Sequence, residues 1–474
     1  MHRLKYRVIA ERIAHQINDG TLAPKDQLPT IRMACQQFNV SVTTIQSAYQ
    51  YLEQQNLIVA KANSGFYVLE QPDTQTIALE APSHLQLNNS MFDILTLCQH
   101  PQTYNFGTAE LPPQLLPLTQ MQKTLHQLTR YHIHDLVQTH YTSGDLILRK
   151  QIAKHIVNVG VHLHPDELII TSGCQDAIAL ALSTVCQAGD VVAVESPCFP
   201  GFLQVCSTLK LKVIEIPCHL ERGMSLEALE MALATWPIKA LLIAPSYSNP
   251  TGSLMPEAER HSLCQLAEQF DFTIIEDDLY SELNFKGETT LAIKHYDHTN
   301  KVIYCSSVSK IVGSGFRLGW IAPGKHYAAI MQAKAFRNIS EPLISQKLIA
   351  ELLQSGRYQK HIKQLRKTLQ QNFEKMHVII KTHFPAQTRI SQPKGGLVVW
   401  VALPTGCDSS TLLDEARKEH ISFFPGEVFC ERALYQHCFR LSFALNWTEQ
   451  TERKLRRLGA LVHKQIQKSK MMLT

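Results

Sequence analysis

Apolar positions follow two different rhythms along this chain. Over the first seventy residues they recur at helical spacing: Tyr6, Ile9, Ile13 and Ile17, then the run IRMACQQFNV after Leu28-Pro29-Thr30, then Ile45, Ala48, Tyr49 and Leu52. This spacing predicts three short helices, with Asn18-Asp19-Gly20 closing the first and Ser41 capping the third. Two strand-like runs, LIVAKA and GFYVLE, follow across Asn63-Ser64-Gly65, a turn chemistry that suits a hairpin. From Tyr104 onward, helical runs alternate with short apolar runs: ELIIT (167–171), DVVAVE (190–195), KVIEIP (212–217), ALLIAP (240–245), FTIIED (272–277), KVIYCS (301–306) and LGWIA (318–322). Such alternation predicts a largely parallel sheet with both faces covered. Ligands of such sheets bind at the carboxyl ends of the strands. Between the two regions, residues 71–103 are polar, carry prolines and hold no sustained period. They are expected to form a linker with room for a short helix at Met91–Cys98.

Composition narrows this picture only a little. The 474 residues exceed one ordinary core, and 45% hydrophobic with 18% charged residues is a globular balance. The net charge of +5 names no polyanionic partner, so a nucleic-acid reading must rest on a motif. The 12 cysteines are scattered without a C-x-x-C pair or a zinc-like Cys/His cluster, so no metal site is expected. With no secretory signal read at the start, they are expected to be reduced thiols in a cytoplasmic protein. No apolar run approaches the ~20 residues of a membrane span.

Three short helices and a hairpin predict a winged helix-turn-helix. Its third helix would enter a DNA major groove by the end bearing Ser41, Thr43 and Thr44. Short hydroxyls and helix-start N–H groups suit phosphates and base edges. Arg32 would reach flanking phosphates, and Gly65 at the hairpin tip allows close backbone approach. The stretch Leu28-Pro29-Thr30-Ile31-Arg32, Val40-Ser41-Val42-Thr43-Thr44-Ile45, Ala48-Tyr49, Leu52-Glu53, Leu57-Ile58 and Ser64-Gly65-Phe66-Tyr67-Val68 resembles the DNA-binding domain of the GntR family. Lys25 stands where that family often has glycine, and Val42 where a basic residue is common.

The ends of the predicted strands carry the second chemistry. After ELIIT, Gly173-Cys174-Gln175 leads into a helix, where backbone N–H groups and the helix dipole favour an anion. Phe199 follows DVVAVE and can stack on a flat ring. Asn249, in Asn249-Pro250-Thr251-Gly252, can donate to a phenolate oxygen. Asp277 at a buried strand end requires a cationic partner, and Tyr280 lies three residues on. Ser307-Val308-Ser309-Lys310 and Arg317 complete the series. Each alone reads as an ordinary turn or core residue. In this order they resemble the fold-type I, aspartate aminotransferase-like enzymes that bind pyridoxal 5′-phosphate.

That resemblance runs from about Tyr104 to the C-terminus. It implies that Lys310 forms an imine with the cofactor and shuttles a proton. It implies that Asp277 keeps the pyridine nitrogen protonated, and that Tyr280 and Asn249 bind the phenolate oxygen. Gly173, Cys174, Gln175, Ser307, Ser309 and Arg317 would hold the phosphate, and Phe199 would stack on the ring. Tyr141 resembles the tyrosine that reaches a neighbouring subunit's cofactor. Arg440, in Arg440-Leu441-Ser442-Phe443-Ala444, matches the arginine that takes a substrate α-carboxylate.

The expected fold is α/β: a winged helix-turn-helix over 1–70, the linker, then an aminotransferase-like domain over 104–474. The latter would comprise a mostly parallel large domain to about 340 and a smaller C-terminal α+β domain from about 341. The whole order resembles the MocR/PdxR-like regulators. The resemblance implies a homodimeric transcriptional regulator that binds double-stranded DNA and senses a small amino compound or the cofactor. The alternative is a working amino acid:2-oxo acid aminotransferase with an appended DNA-binding domain.

Overall fold

The computed structural model describes residues 5–18, 22, 26–54, 57–61, 65–68, 79–85, 90–138, 143–404 and 406–472. The chain separates into two compact units, Met1–Ala78 and Leu79–Thr474.

In the first unit the helical rhythm of the sequence becomes α1 (Lys5–Asn18), α2 (Ile31–Phe38) and α3 (Val42–Gln54), followed by β1 (Ile58–Lys61) and β2 (Gly65–Val68). Ile9, Ile13 and Ile17 of α1 meet Ile45, Ala48, Tyr49 and Leu52 of α3 in one core. Burying each of these isoleucine and leucine side chains is worth roughly 1.5–3 kcal/mol. Thr30 caps α2 by accepting from the Met33 N–H at 3.3 Å, and Asn39 ends that helix in the left-handed conformation. The two strands pair antiparallel, with Ile58 opposite Val68 and Lys61 opposite Gly65. The turn residues 62–64, like Asp19, Gly20 and Lys25, lie outside the described residues. Tyr49 fixes the parts to one another: its hydroxyl donates to the Pro29 carbonyl at 2.8 Å, and its ring meets Phe66 edge-on at 5.0 Å.

All seven apolar runs expected in the second unit are strands of one sheet. They are β3 (Ile169–Thr171), β4 (Val191–Ser196), β5 (Lys212–His219), β6 (Ile238–Ile243), β7 (Thr273–Asp277), β8 (Val302–Ser307) and β9 (Gly319–Ala322). The spatial order is β5-β4-β6-β7-β8-β9-β3. The five strands from β5 to β8 run parallel, whereas β9 is antiparallel to both β8 and β3. Alternate residues serve opposite faces. Val192 and Val194 pack with Ile178 and Leu182 on one side, while Val191 and Ala193 pack with Leu229 and Leu263 on the other. Burial on both faces explains why these runs read as continuously apolar.

Within the expected linker, the short helix expected at Met91–Cys98 is present as Ser90–Gln99. Ser83–His84 also pairs antiparallel with β5 at the sheet edge, and the second compact unit starts at Leu79. Leu79 and Leu85 supply apolar packing that the polar average of the segment hid. Further along, β10 (Arg389–Ile390), β11 (Val398–Ala402), β12 (Phe424–Pro425) and β13 (Cys438–Ser442) form a second, antiparallel sheet in the order β10-β11-β13-β12. The helices Arg357–His383 and Glu449–Met472 cover it through residues such as Leu369, Met376, Leu455 and Leu458. All 12 cysteines are unpaired. Among the described residues no helix is long and apolar enough to cross a membrane, and no three His, Cys, Asp or Glu side chains form a metal cluster.

Candidate functional site

The carboxyl ends of β7 and β8 converge with the first turn of helix α4 (Cys174–Val185). Gly173 precedes α4 at φ +105°, and no side chain caps the helix, so its leading N–H groups are not spent on a cap. Two tight approaches shape this turn. A Cβ on Gly173 would stand 3.1 Å from the Arg317 Nη2, and a Cβ on Gly319 would lie 2.6 Å from the Gly173 carbonyl carbon. Arg317 is exposed at the mouth, where its Nη2 donates to the Ser172 carbonyl at 3.0 Å. The Ser307 and Ser309 hydroxyls lie 2.7 Å apart, and Ser307 Oγ also donates to the Leu318 carbonyl at 2.7 Å. An anion at this turn would meet helix N–H groups, two hydroxyls and a guanidinium fork.

Deeper in, Asp277 at the end of β7 is buried and accepts from the Cys174 thiol at 3.1 Å. Burial pushes its carboxyl up to about 7, the thiol lowers it, and neighbouring Asp278 raises it. Tyr280 is also buried, and burial followed by the Asp277 charge pushes its phenol up. Lys310 is half-buried on the short helix after β8, and its Nζ donates to the Ala109 carbonyl at 3.0 Å. Burial lowers its ammonium below the ordinary lysine value, opposed first by Glu110. A lysine destabilised as an ammonium is closer to the neutral amine that attacks a carbonyl.

Arg440, on β13, is 4% exposed and lies between two rings, with its guanidinium carbon 4.7 Å from the Phe424 centroid and 5.1 Å from that of Phe429. Its Nη1 donates to Asn249 Oδ1 at 2.7 Å and its Nη2 to the Gly107 carbonyl. Among the described residues these acceptors are both neutral, and its Nε is buried without a partner. Burial therefore lowers this arginine to about 10. A buried cation held only by neutral acceptors is set up to receive an anion.

Of the residues expected from sequence, Cys174, Asp277, Tyr280, Lys310 and Arg440 thus lie in one electrostatic neighbourhood. Asn249 joins them through Arg440, while Gly173, Ser307, Ser309 and Arg317 form the adjoining turn. Gln175 is exposed in the first turn of α4. Phe199 stands just past the end of β4, its ring edge-on to Phe202 at 5.7 Å. The neighbouring Cys198 N–H donates to the Phe429 carbonyl at 2.8 Å, tying this strand end to the loop beneath Arg440. Tyr141 lies outside the described residues. Sequence reading missed the backbone acceptors Gly107 and Ala109, the Cys174 thiol as a partner of Asp277, and Asn338, whose amide donates to Ser172 Oγ at 2.7 Å. None of these carried a signal in the sequence; the structure shows only that Gly107 must lack a side chain, since a Cβ there would meet the Phe424 ring at 2.9 Å.

The DNA-facing residues expected in the first unit are at its surface. Arg32, Ser41, Thr43 and Gly65 are exposed and Thr44 is partly so. Ser41 Oγ lies 2.9 Å from Thr43 Oγ1 and 2.8 Å from Thr44 Oγ1, and it accepts weakly from the Thr44 N–H at 3.3 Å. Gly65 opens β2 at φ +101°, a conformation that favours glycine.

Residues 105–458 match the family described as aminotransferase class I and II, and residues 5–68 match bacterial regulatory proteins of the gntR family. The chain is 33% identical over 466 residues to YdcR of Escherichia coli K12, described as an uncharacterized HTH-type transcriptional regulator. That alignment covers 98% of this chain and 100% of YdcR. Among solved structures, the kynurenine aminotransferase of Pyrococcus horikoshii superposes with a TM-score of 0.75 at 26% identity, covering 80% of this chain and 95% of that one. The α-aminoadipate aminotransferase LysN of Thermus thermophilus, complexed with N-(5'-phosphopyridoxyl)-L-leucine, gives 0.74 at 28% identity, covering 81% and 96%.

Proposed function

We propose, on the premise that this chain belongs to the MocR-type regulators, in which a GntR winged helix-turn-helix is fused to a class I and II aminotransferase-like domain, that it regulates transcription in response to a small amino compound. Its first unit binds double-stranded DNA. Its second unit binds pyridoxal 5′-phosphate and takes an amino acid or related amine as effector. The protein acts as a cytoplasmic homodimer that presents two DNA-binding units.

The residues present fit the cofactor. The uncapped start of α4 with Gly173, Cys174 and Gln175, together with Ser307, Ser309 and Arg317, offers a phosphate cradle that a Cβ at Gly173 would crowd. Asp277 supplies the buried carboxylate for a protonated ring nitrogen, and Phe199 the flat face. Asn249 and Tyr280 stand for the phenolate oxygen. When bound, the group supplies an aldehyde for amines and an electron-withdrawing ring. Lys310 is the amine that would engage the cofactor's aldehyde, and its Nζ can take up or release a proton. Tyr141 is assigned to the partner subunit's site by resemblance.

The observation that carries the effector reading is Arg440: a buried guanidinium with only neutral acceptors among the described residues matches a carboxylate bidentately. An effector bound there changes DNA affinity by its differential affinity for the two states of the protein. The test is a DNA-binding titration with and without pyridoxal 5′-phosphate and a panel of amino acids. A retardation midpoint that ignores every combination would sink the sensing reading. Lys310, Asp277 and Arg440 together also support the second reading, transamination. Sustained turnover with a 2-oxo acid acceptor, without any effect on DNA binding, would favour it.

A further inference from the structure

The outward stripe of α3 carries an unusual set of side chains. The helix, VTTIQSAYQYLEQ, contains no lysine or arginine. Ile45, Ala48, Tyr49 and Leu52 are buried in the core of the unit, which turns Val42, Thr43, Gln46 and Ser47 outward. Val42 is 51% exposed, the apolar exception on this helix among its described side chains. Val42 and Gln46 lie four residues apart and so share one face. The hydroxyls around them are partly engaged already, since Ser41 Oγ bonds with both Thr43 and Thr44.

A single exposed valine has no meaning by itself. Paired with a glutamine on a helix whose homologues by family bind DNA, it has a specific chemistry. The commonest specific contact to a G·C pair is an Arg or Lys fork on the guanine edge, and α3 has neither residue. Glutamine pairs bidentately with the adenine N6/N7 edge, and an apolar side chain packs on the thymine 5-methyl group. We propose that the outward face of α3 reads A·T base pairs, Val42 through a thymine methyl and Gln46 through an adenine edge. This rests on the DNA-binding reading above and adds the class of sequence recognised. Arg32, on α2, then contributes affinity through phosphate without base preference.

The experiment uses the full-length protein and duplexes selected by it from a random-sequence library. Each thymine of the selected site is then replaced in turn by uracil, which lacks the 5-methyl group. One such replacement is expected to weaken binding about 4-fold, the change corresponding to the ~0.8 kcal/mol of one buried methyl-sized group. Val42→Ala should bind the thymine and uracil duplexes equally, a non-additive pair of changes. Gln46→Ala should lose preference at one A·T pair while far-ultraviolet circular dichroism stays unchanged. A selected site made of G·C pairs, or a uracil effect that persists in Val42→Ala, overturns the proposal. Failure to retain any duplex overturns it together with the winged-helix reading.

Discussion

Two regions of this molecule carry their candidate binding groups in opposite physical settings. The face of α3 offers exposed, mostly neutral groups, with Arg32 as an exposed cation on α2. Around β7 and β8 the charges are sunk: Asp277 and Arg440 are buried and Lys310 half-buried. In water-like surroundings a charge is screened and its contribution is modest. In a buried site the same charge costs desolvation until a partner arrives, and its protonation shifts accordingly. Asp277 pushed up to about 7 and Arg440 lowered to about 10 express that cost. The difference teaches how each region's charges respond to their surroundings. The buried charges of the large unit carry a desolvation cost that a fitted counter-ion would relieve, whereas the exposed Arg32 of the small unit is a screened, salt-sensitive charge beside neutral side chains.

Substitutions can break this contrast. The largest effect is expected from Lys310→Ala, which should abolish the borohydride-reducible cofactor adduct while leaving the circular dichroism of the protein unchanged. An adduct of equal yield would remove Lys310 from its role. Arg440→Gln should weaken an amino-acid effector by about 100-fold, within the range for losing one partner of a buried charge pair. Effector-free cofactor affinity, read by fluorescence, should change little, and equal losses in both would place Arg440 elsewhere in the site.

The buried carboxylate makes a pH prediction with a definite sign. Because Asp277 holds its proton up to about 7 in the folded cofactor-free protein and the unfolded chain releases it near 4, its contribution is full at low pH and fades as pH rises through that window. Urea midpoints of the cofactor-free protein should therefore fall between about pH 4 and 7, and Asp277→Asn should flatten part of that fall. Glu195 and Glu276, both pushed up to about 8 by burial, keep the remaining slope. A variant with an unchanged pH profile would refute the assignment. The smallest effect belongs to the exposed region: Arg32→Ala should weaken DNA binding uniformly across sequences and reduce the slope of log affinity against log salt by about 1. A loss confined to one sequence would make Arg32 a base reader instead.

The sequence by itself determined the elements and the order of the chemistry. Helix spacing placed α1 to α3, seven apolar runs became the seven main strands, and Asn249, Asp277, Lys310 and Arg317 could be assigned to strand ends from motif order alone. These features are local, so periodicity and turn residues encode them directly. Between residues 79 and 103 the short helix was legible, but the pairing of Ser83–His84 with β5 was not, because that pairing is not local and the average polarity of the segment hides Leu79 and Leu85. Tertiary structure alone decided the partners. Lys310 bonds a carbonyl 201 residues away, and Arg440 one 333 residues away. A backbone carbonyl is the same group at every residue, so no side-chain pattern could announce which of them would face a buried cation.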